Sequence, residues 1–272
     1  MKLFNWTDIV FLLNNGAEES YFDGGTGISV GSFDGLHQGH RVLLNTLLAE
    51  SKKRNLKSGV ITFKRPLPSI KHSEDYSGDI STLNQRLDLL EKLGIDFVIV
   101  VDFDESFASM MGIDFLNILH NICNMELLAE GIDFRCGYKG ATDTQAIKYW
   151  AEQNSLDCVF VDSVYYREGT DEEERISSSY IRQMIQKGFF ATVKELLERP
   201  YEIDIASIRN FLMEQNVKKT TSDSKVRKSG SVQIFPPDGI YRTESETGEF
   251  IRLVIKDGQI QTLPDCKFVR FV

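Results

Sequence analysis

Two histidines follow a short apolar stretch within the sequence Ile-Ser-Val-Gly-Ser-Phe-Asp-Gly-Leu-His-Gln-Gly-His, which spans residues 28–40. His37 and His40 are three residues apart, so both imidazoles face the same side where a helix begins. Gly31 and Gly35 allow the backbone to approach a ligand closely or to take a positive φ. A helix N-terminus offers N–H groups and the positive end of the helix dipole, and imidazoles beside it can donate hydrogen bonds to phosphate oxygens. The segment therefore predicts a polyphosphate site at which the histidines stabilise charge as a phosphoanhydride is attacked.

A second polar cluster, residues 176–182, follows the acidic run Asp171–Glu174. Ser178 and Ser179 would lie at a helix start, where hydroxyls and N–H groups can turn toward an anion. Arg182 is one turn further along and can reach the same anion through its fork of donors. An ordinary helix N-cap would also explain the serines.

The first segment resembles the H-x-G-H signature of the nucleotidylyltransferase superfamily, in the form found in bacterial FAD synthetases. The second is similar to the superfamily's Ile-Ser-Ser-Thr-x-x-Arg motif, with Ser179 where threonine is usual. The resemblance implies that His37, His40 and Arg182 are catalytic. It also implies nucleotide contacts for other residues of the two motifs, namely Gly31, Phe33, Asp34, Gly39, Ser178 and Ser179.

Weaker similarity to the FAD synthetases lies between these motifs. Residues 131–137 resemble the family's Gly-x-Asp-Phe-x-Phe-Gly loop, which lines the nucleotide and flavin pockets, although Cys136 replaces the second phenylalanine. The segment from Phe63 resembles Thr-Phe-x-Pro-His-Pro, although Leu67 replaces the histidine. Asp133 could accept a hydrogen bond from a ribityl or ribose hydroxyl, or it could cap a turn. The resemblance implies flavin or substrate contacts at Phe63, Asp133, Phe134 and Arg135.

Short apolar runs alternate with helix-periodic segments from residue 28 to residue 162. This alternation predicts parallel strands joined by helical crossovers, and hence a doubly wound, Rossmann-like α/β sheet with its ligand site at the carboxyl ends of the strands. The predicted strands are 28–33, 58–63, 96–101, 126–131 and 157–162, and the predicted helices are 38–54, 82–93, 112–122 and 142–153.

Composition limits the classes of function. The 272 residues carry a net charge of -9, and no run of basic residues interleaved with aromatics indicates a nucleic-acid face. The four cysteines have no CxxC spacing, and we see no leader peptide and no apolar run long enough to span a membrane. We therefore expect a cytoplasmic protein with small-molecule partners.

The family resemblance divides the chain into three parts. Residues 1–203 are predicted to form the adenylyltransferase-like domain, 204–230 a helix and polar linker, and 231–272 a small β-rich unit. In bifunctional relatives a riboflavin kinase barrel follows the first domain and opens with Gly-Arg-x-Leu-Gly-Phe-Pro-Thr-Ala-Asn. Because no such stretch is present, the tail is interpreted as a possible remnant of that barrel without kinase activity.

The resemblance implies that ATP and FMN are converted into FAD and pyrophosphate, with Mg²⁺ accompanying ATP. It assigns no protein ligand to the metal and no oligomeric state. One alternative is another nucleotidylyltransferase of the same fold, acting on pantetheine phosphate, on nicotinamide mononucleotide or in cytidylyl transfer. A second alternative is a flavin- or nucleotide-binding protein without activity.

Overall fold

The computed structural model describes residues 1–15, 21–67, 76–218 and 233–272. The chain forms two compact units, each built from separate segments. Unit 1 comprises residues 1–33, 39–67 and 87–164, and unit 2 comprises residues 34–38, 68–86 and 165–272.

Unit 1 contains a six-stranded parallel sheet in the order β1-β4-β3-β2-β5-β6. Four of its strands consist largely of buried residues, as expected when helices cover a parallel sheet. The order reverses between β2 and β5, and this is the topological switch point at which doubly wound sheets bind ligands. The strands are β1 (Lys2–Asn5), β2 (Thr26–Val30), β3 (Lys57–Phe63), β4 (Phe97–Val101), β5 (Met125–Gly131) and β6 (Asp157–Val161).

The helices of this part of the chain follow the predicted order closely. Their apolar sides contribute buried side chains such as Leu44, Leu116 and Ile147. They are α1 (Trp6–Asn15), α2 (Gln38–Lys53), α3 (Leu83–Leu93), α4 (Glu105–Ser109), α5 (Gly112–Ile122) and α6 (Thr144–Gln153). The sequence analysis predicted neither β1 nor α4, because each is too short to show a clear period.

Unit 2 contains a five-stranded antiparallel sheet in the order β12-β11-β10-β13-β9. Its strands are β9 (Tyr201–Asp204), β10 (Gly239–Ser245), β11 (Phe250–Lys256), β12 (Gln259–Ile260) and β13 (Phe268–Phe271). A short hairpin, β7 (Tyr165–Tyr166) and β8 (Glu174–Arg175), precedes the helices α7 (Ser178–Gln186), α8 (Phe190–Leu197) and α9 (Ile205–Lys218).

The doubly wound α/β fold with a β-rich C-terminal part is confirmed, with differences at segment ends. The predicted strand 28–33 ends at Val30, because Phe33 has a φ of 46°, outside the extended range. Residues 201–203, predicted as the end of the first domain, form most of β9, which pairs with β13. The predicted division follows chain order, whereas the compact units interleave. Residues 219–232, which hold the second part of the predicted helix and linker and the first two residues of the predicted β-rich unit, lie outside the described residues.

Within the described ranges, no helix is both long enough and apolar enough to cross a membrane.

Candidate functional site

The loop after β2 has an unusual backbone. Phe33 and Leu36 take positive φ values of 46° and 40°, which side-chain-bearing residues seldom adopt and which cost about 1–3 kcal/mol each. Gly35 has a φ of 80°, and a Cβ there would lie 2.9 Å from Ile80 Cγ2. Glycine is therefore required at position 35, and the surrounding contacts must hold the loop in this shape.

Asp34 organises the part of this loop that belongs to unit 2. Its carboxylate is 1% exposed and accepts hydrogen bonds from the backbone N–H of Ile80 at 3.0 Å and of Ser81 at 2.9 Å. It also forms an ion pair with Arg182. The hydroxyl of Ser178 donates to the Asp34 carbonyl at 3.0 Å. These bonds join the loop to the residues before α3 and to the start of α7.

Arg182 is the buried partner of this carboxylate. Its Nε donates to the Gly78 carbonyl at 2.8 Å, and its Nη2 donates to the Tyr76 hydroxyl at 3.0 Å as well as to Asp34. The guanidinium also lies 4.8 Å from the centre of the Tyr76 ring. The sequence predicts that the donor fork of Arg182 reaches an anion, whereas in this structure its Nε and Nη2 donate to groups of the protein.

His37 lies in the same loop and is 5% exposed. Its pKa is lowered to about 3, chiefly by burial and also by the nearby positive charges of Arg199, Arg175 and Arg182. The imidazole is therefore neutral at physiological pH and offers one N–H donor and one acceptor. The three arginines surround it with the positive field that a polyphosphate requires.

His40 belongs to unit 1, as the third residue of α2. It is half-buried, and its ring packs edge-on against Phe33 with the ring centres 5.3 Å apart. Gly39 is the second residue of the same helix. Gly31 continues the β2–β3 pairing by donating to the Ile61 carbonyl at 3.0 Å. The predicted helix start after the glycine turn is confirmed, with His37 one residue before the helix.

The serines at the start of α7 have different roles. Ser177 is the N-cap residue and accepts a hydrogen bond from the Tyr180 N–H at 3.2 Å. Ser178 donates to Asp34, and Ser179 is exposed at the second position of the helix. The capping role that the sequence analysis held open thus falls on Ser177.

The four residues predicted to contact flavin lie in two places in unit 1. Phe63 is buried and packs edge-on against Phe103 and Phe107, so it contributes to the core. Phe134 is half-buried against the core in the loop after β5. Asp133 and Arg135 are exposed in the same loop, and Arg135 Nε donates to the Gly140 carbonyl at 2.8 Å.

The sequence did not predict several residues that hydrogen-bond to the loop after β2 or to Arg182. Arg199 donates through Nη2 to the Gly35 carbonyl at 2.6 Å, and Ser81 donates to Asp34 and accepts from the Gly35 N–H. Tyr76 bonds to both Arg182 and Asp79. None of these lies in a motif with regular spacing, and their role depends on the fold.

The described part of the chain shows no group of three or more His, Cys, Asp or Glu side chains placed to hold a metal ion. Mg²⁺ keeps several waters and is often bound largely through substrate phosphates, which is compatible with entry together with a nucleotide.

Comparison with known proteins bears on the identity of the chain. A family model described as FAD synthetase matches residues 20–180, from before β2 into the first turn of α7. This chain belongs to the FAD synthetase family. The matched range contains residues 31–40, which we call the histidine loop, as well as the loop after β5 and the serines of α7, so the resemblance drawn from those motifs is confirmed.

The names of related proteins support this family assignment. The bifunctional riboflavin kinase/FMN adenylyltransferase of Escherichia coli K12 is 28% identical over 218 residues, which cover 80% of this chain and 67% of that protein. The FAD synthetase of Listeria monocytogenes is 24% identical over 176 residues, which cover 65% of this chain and 70% of that protein. The matched part spans about two thirds of the bifunctional relatives' length.

A solved structure shares the fold. The chain titled as a macrolide-efflux protein from Streptococcus pneumoniae aligns with a TM-score of 0.66, covering 91% of this chain and 92% of that one. At 20% identity the likeness supports the fold alone.

Proposed function

We propose that this chain is an FMN adenylyltransferase that converts ATP and FMN into FAD and pyrophosphate. The observation that carries the proposal is the family match over residues 20–180, which spans the histidine loop and enters α7. The buried His37, surrounded by the charges of Arg175, Arg182 and Arg199, supports it, because the chain is acidic overall and phosphate affinity must be local.

In this reaction an oxygen of the FMN phosphate attacks the α-phosphorus of ATP. The new P–O bond forms as the bond to the α–β bridging oxygen breaks, and pyrophosphate leaves with the electron pair. The attacking group is already an anion, so the protein needs no side-chain nucleophile. Its tasks are to align the two substrates and to stabilise the charge that develops.

We assign the donor roles to the two histidines. His37 acts as a neutral imidazole whose N–H donates to a phosphate oxygen, and the hydrogen bonds made by Asp34 and Gly35 hold the loop in place, so little reorganisation is needed. His40, in the first turn of α2, is the second donor, where the helix dipole favours an anion. Gly31, Phe33 and Gly39 are the proposed nucleotide contacts along the same stretch.

We assign Arg182 a positioning role, because its Nε and Nη2 hold Gly78, Tyr76 and Asp34. Ser179, which is exposed at the start of α7, is the proposed contact for the terminal phosphates. Mg²⁺ bound to the phosphates of ATP would supply positive charge beside the pyrophosphate, and we assign it no protein ligand. Asp133, Phe134 and Arg135 are the proposed flavin contacts.

We further propose that the chain does not phosphorylate riboflavin. A kinase needs a glycine-bearing loop over the β- and γ-phosphates together with a base for the ribityl hydroxyl. In the described part of the C-terminal sheet, Gly248 and Gly258 occur singly in turns between antiparallel strands. The cytoplasm is the proposed compartment, because the four cysteines are free thiols, which suit a reducing environment.

One experiment tests these assignments. The purified full chain is incubated with ATP, Mg²⁺ and either FMN or riboflavin, and the flavins are separated by chromatography. FAD formed from FMN would support adenylyl transfer, and its absence above a heat-inactivated control would overturn it. FMN formed from riboflavin would overturn the proposed lack of kinase activity. Parallel reactions with pantetheine phosphate, nicotinamide mononucleotide or CTP test the other nucleotidylyltransferases.

A further inference from the structure

The parallel sheet of unit 1 separates at the switch point. The ladder between β2 and β5 pairs Ile28 with Leu128 and then ends. Each of these strands remains paired with its other neighbour beyond this point. Val30 of β2 pairs with Ile61 of β3, and Gly131 of β5 pairs with Val161 of β6. The two strands thus part at their carboxyl ends, where a doubly wound sheet binds its ligand.

A carboxylic acid lies in this gap. The N–H of Val30 donates to Glu130 Oε1 at 2.5 Å, and Glu130 is 2% exposed. Beyond Ile28, therefore, a side chain accepts the hydrogen bond that a backbone carbonyl of β5 would accept in a continuous ladder.

Burial raises the pKa of Glu130 well above its usual value, and the single opposing influence is the hydrogen bond from Val30. Its titratable neighbours are the thiols of Cys136 and Cys158, whose pKa values are raised by burial to about 12 and about 11. Burial thus favours the neutral form of this carboxyl, which suits an apolar position better than a charged group does.

An apolar residue would fit this position better if folding were the only requirement. Val30 on the neighbouring strand and Ala129 one residue earlier are both buried and apolar, and a buried polar group with few hydrogen bonds costs stability. Glu126, on the same strand, is exposed, as is usual for a glutamate. The placement of Glu130 therefore points to a role in shaping the gap.

We propose that Glu130 is a positioning residue that holds the carboxyl ends of β2 and β5 apart and thereby shapes the crevice for ATP, an inference that rests on the proposed function. With a β-branched apolar side chain in its place, the strands can continue their backbone pairing and narrow the crevice. Glutamine keeps the length and the accepting oxygen, so it preserves the gap.

The test compares Glu130→Val and Glu130→Gln, with Glu126→Gln as the control that makes the same glutamate-to-glutamine change at an exposed position of the same strand. ATP binding to the full chain is measured by calorimetry without FMN, and backbone hydrogen exchange is followed in the peptide that contains Val30. We expect about tenfold weaker ATP binding for Glu130→Val with no loss of thermal stability and slower exchange at Val30. Both glutamine variants should bind within about threefold of the parent.

Equal ATP affinity of Glu130→Val and the parent would overturn the inference alone. The inference would also be overturned if Glu130→Val failed to fold while Glu130→Gln folded, because Glu130 would then be required only for folding. A parent chain that binds no ATP would instead overturn the proposed function, and the inference with it.

Discussion

Two loops follow the carboxyl ends of neighbouring parallel strands, yet they are built by different means. The loop after β2 buries Asp34 and His37 and is held by charge-assisted bonds. The loop after β5 leaves Asp133 and Arg135 exposed and is held largely by backbone bonds, such as that from the Phe134 N–H to the Gly131 carbonyl at 3.0 Å.

The difference matches the ligands that we propose for them. A triphosphate is small and densely charged, so a loop fixed before binding stabilises its charge without reorganisation. A flavin is larger and mostly apolar, and exposed side chains on a backbone-defined turn can adjust to it. We therefore expect substitutions in the first loop to affect stability and turnover, and those in the second to affect flavin affinity.

The largest effect is expected from breaking the buried ion pair. Arg182→Leu leaves the Asp34 carboxylate buried without its cation, which should lower the free energy of unfolding by about 3–5 kcal/mol. Urea denaturation of the full chain measures the change. Arg175→Leu is the control, because Arg175 is exposed, and it should cost less than about 1 kcal/mol. Equal losses in the two variants would contradict the positioning role of Arg182.

His40→Ala should lower turnover about 100-fold, the scale of losing one donor to a developing charge, while the fold stays intact. The rate of FAD formation at saturating ATP and FMN measures the effect, and the thermal melting curve serves as the folding control. A variant within twofold of the parent would remove His40 from the proposed site.

His37 should make stability sensitive to acid. Its folded-state pKa, about 3, lies below the ordinary value of 6.5, so its contribution is complete above pH 6.5 and is lost as the pH falls toward 3. Between pH 7 and pH 4.5 this group alone should remove roughly 2.5 kcal/mol. His37→Gln should flatten that part of the unfolding free energy against pH, whereas His120→Gln should retain it. Parallel curves for the parent and His37→Gln would refute the buried neutral imidazole.

The smallest effect is expected in the loop after β5. Asp133→Ala should raise the KM for FMN by about tenfold, the scale of one lost hydrogen bond to a hydroxyl, with little change for ATP. Steady-state kinetics with each substrate varied in turn measures the effect. A rise in the KM for ATP alone would indicate that Asp133 contacts the nucleotide and not the flavin.

The sequence predicts the parallel sheet and its helices well, because apolar runs and helical periodicity depend only on residues that are close in the chain. Apolar runs such as Phe97–Val101 and helices with three-and-four spacing belong to a repeated unit whose crossovers have one hand. The two motifs also predict where the site lies, since both surround tight turns that need glycine or a cap.

Long-range partners could not be predicted in this way. Arg182 has the spacing of a phosphate ligand, and its pairing with Asp34 depends on residues 148 positions apart in the chain. Likewise, Phe63 lies in a family-like segment but is packed among aromatic rings. Residue type and spacing therefore predict candidate functional residues. Burial and long-range contacts decide which of these side chains instead bind other groups of the protein.

Because β13 is an interior strand of the antiparallel sheet, the two sheets can form at different times during synthesis of the chain. This strand lies between β9 and β10, and its Phe271 stacks on Phe190 with the ring centres 4.3 Å apart. The parallel sheet can form once β6 has left the ribosome, but the antiparallel sheet has to wait for its interior strand, a delay of roughly 5–20 s at usual elongation rates. Gln233 Nε2 contacts the carbonyls of Ile80 and Glu202, so the segment beside Asp34 also completes its contacts late. A nascent chain would therefore carry a finished parallel sheet well before its histidine loop is fully supported.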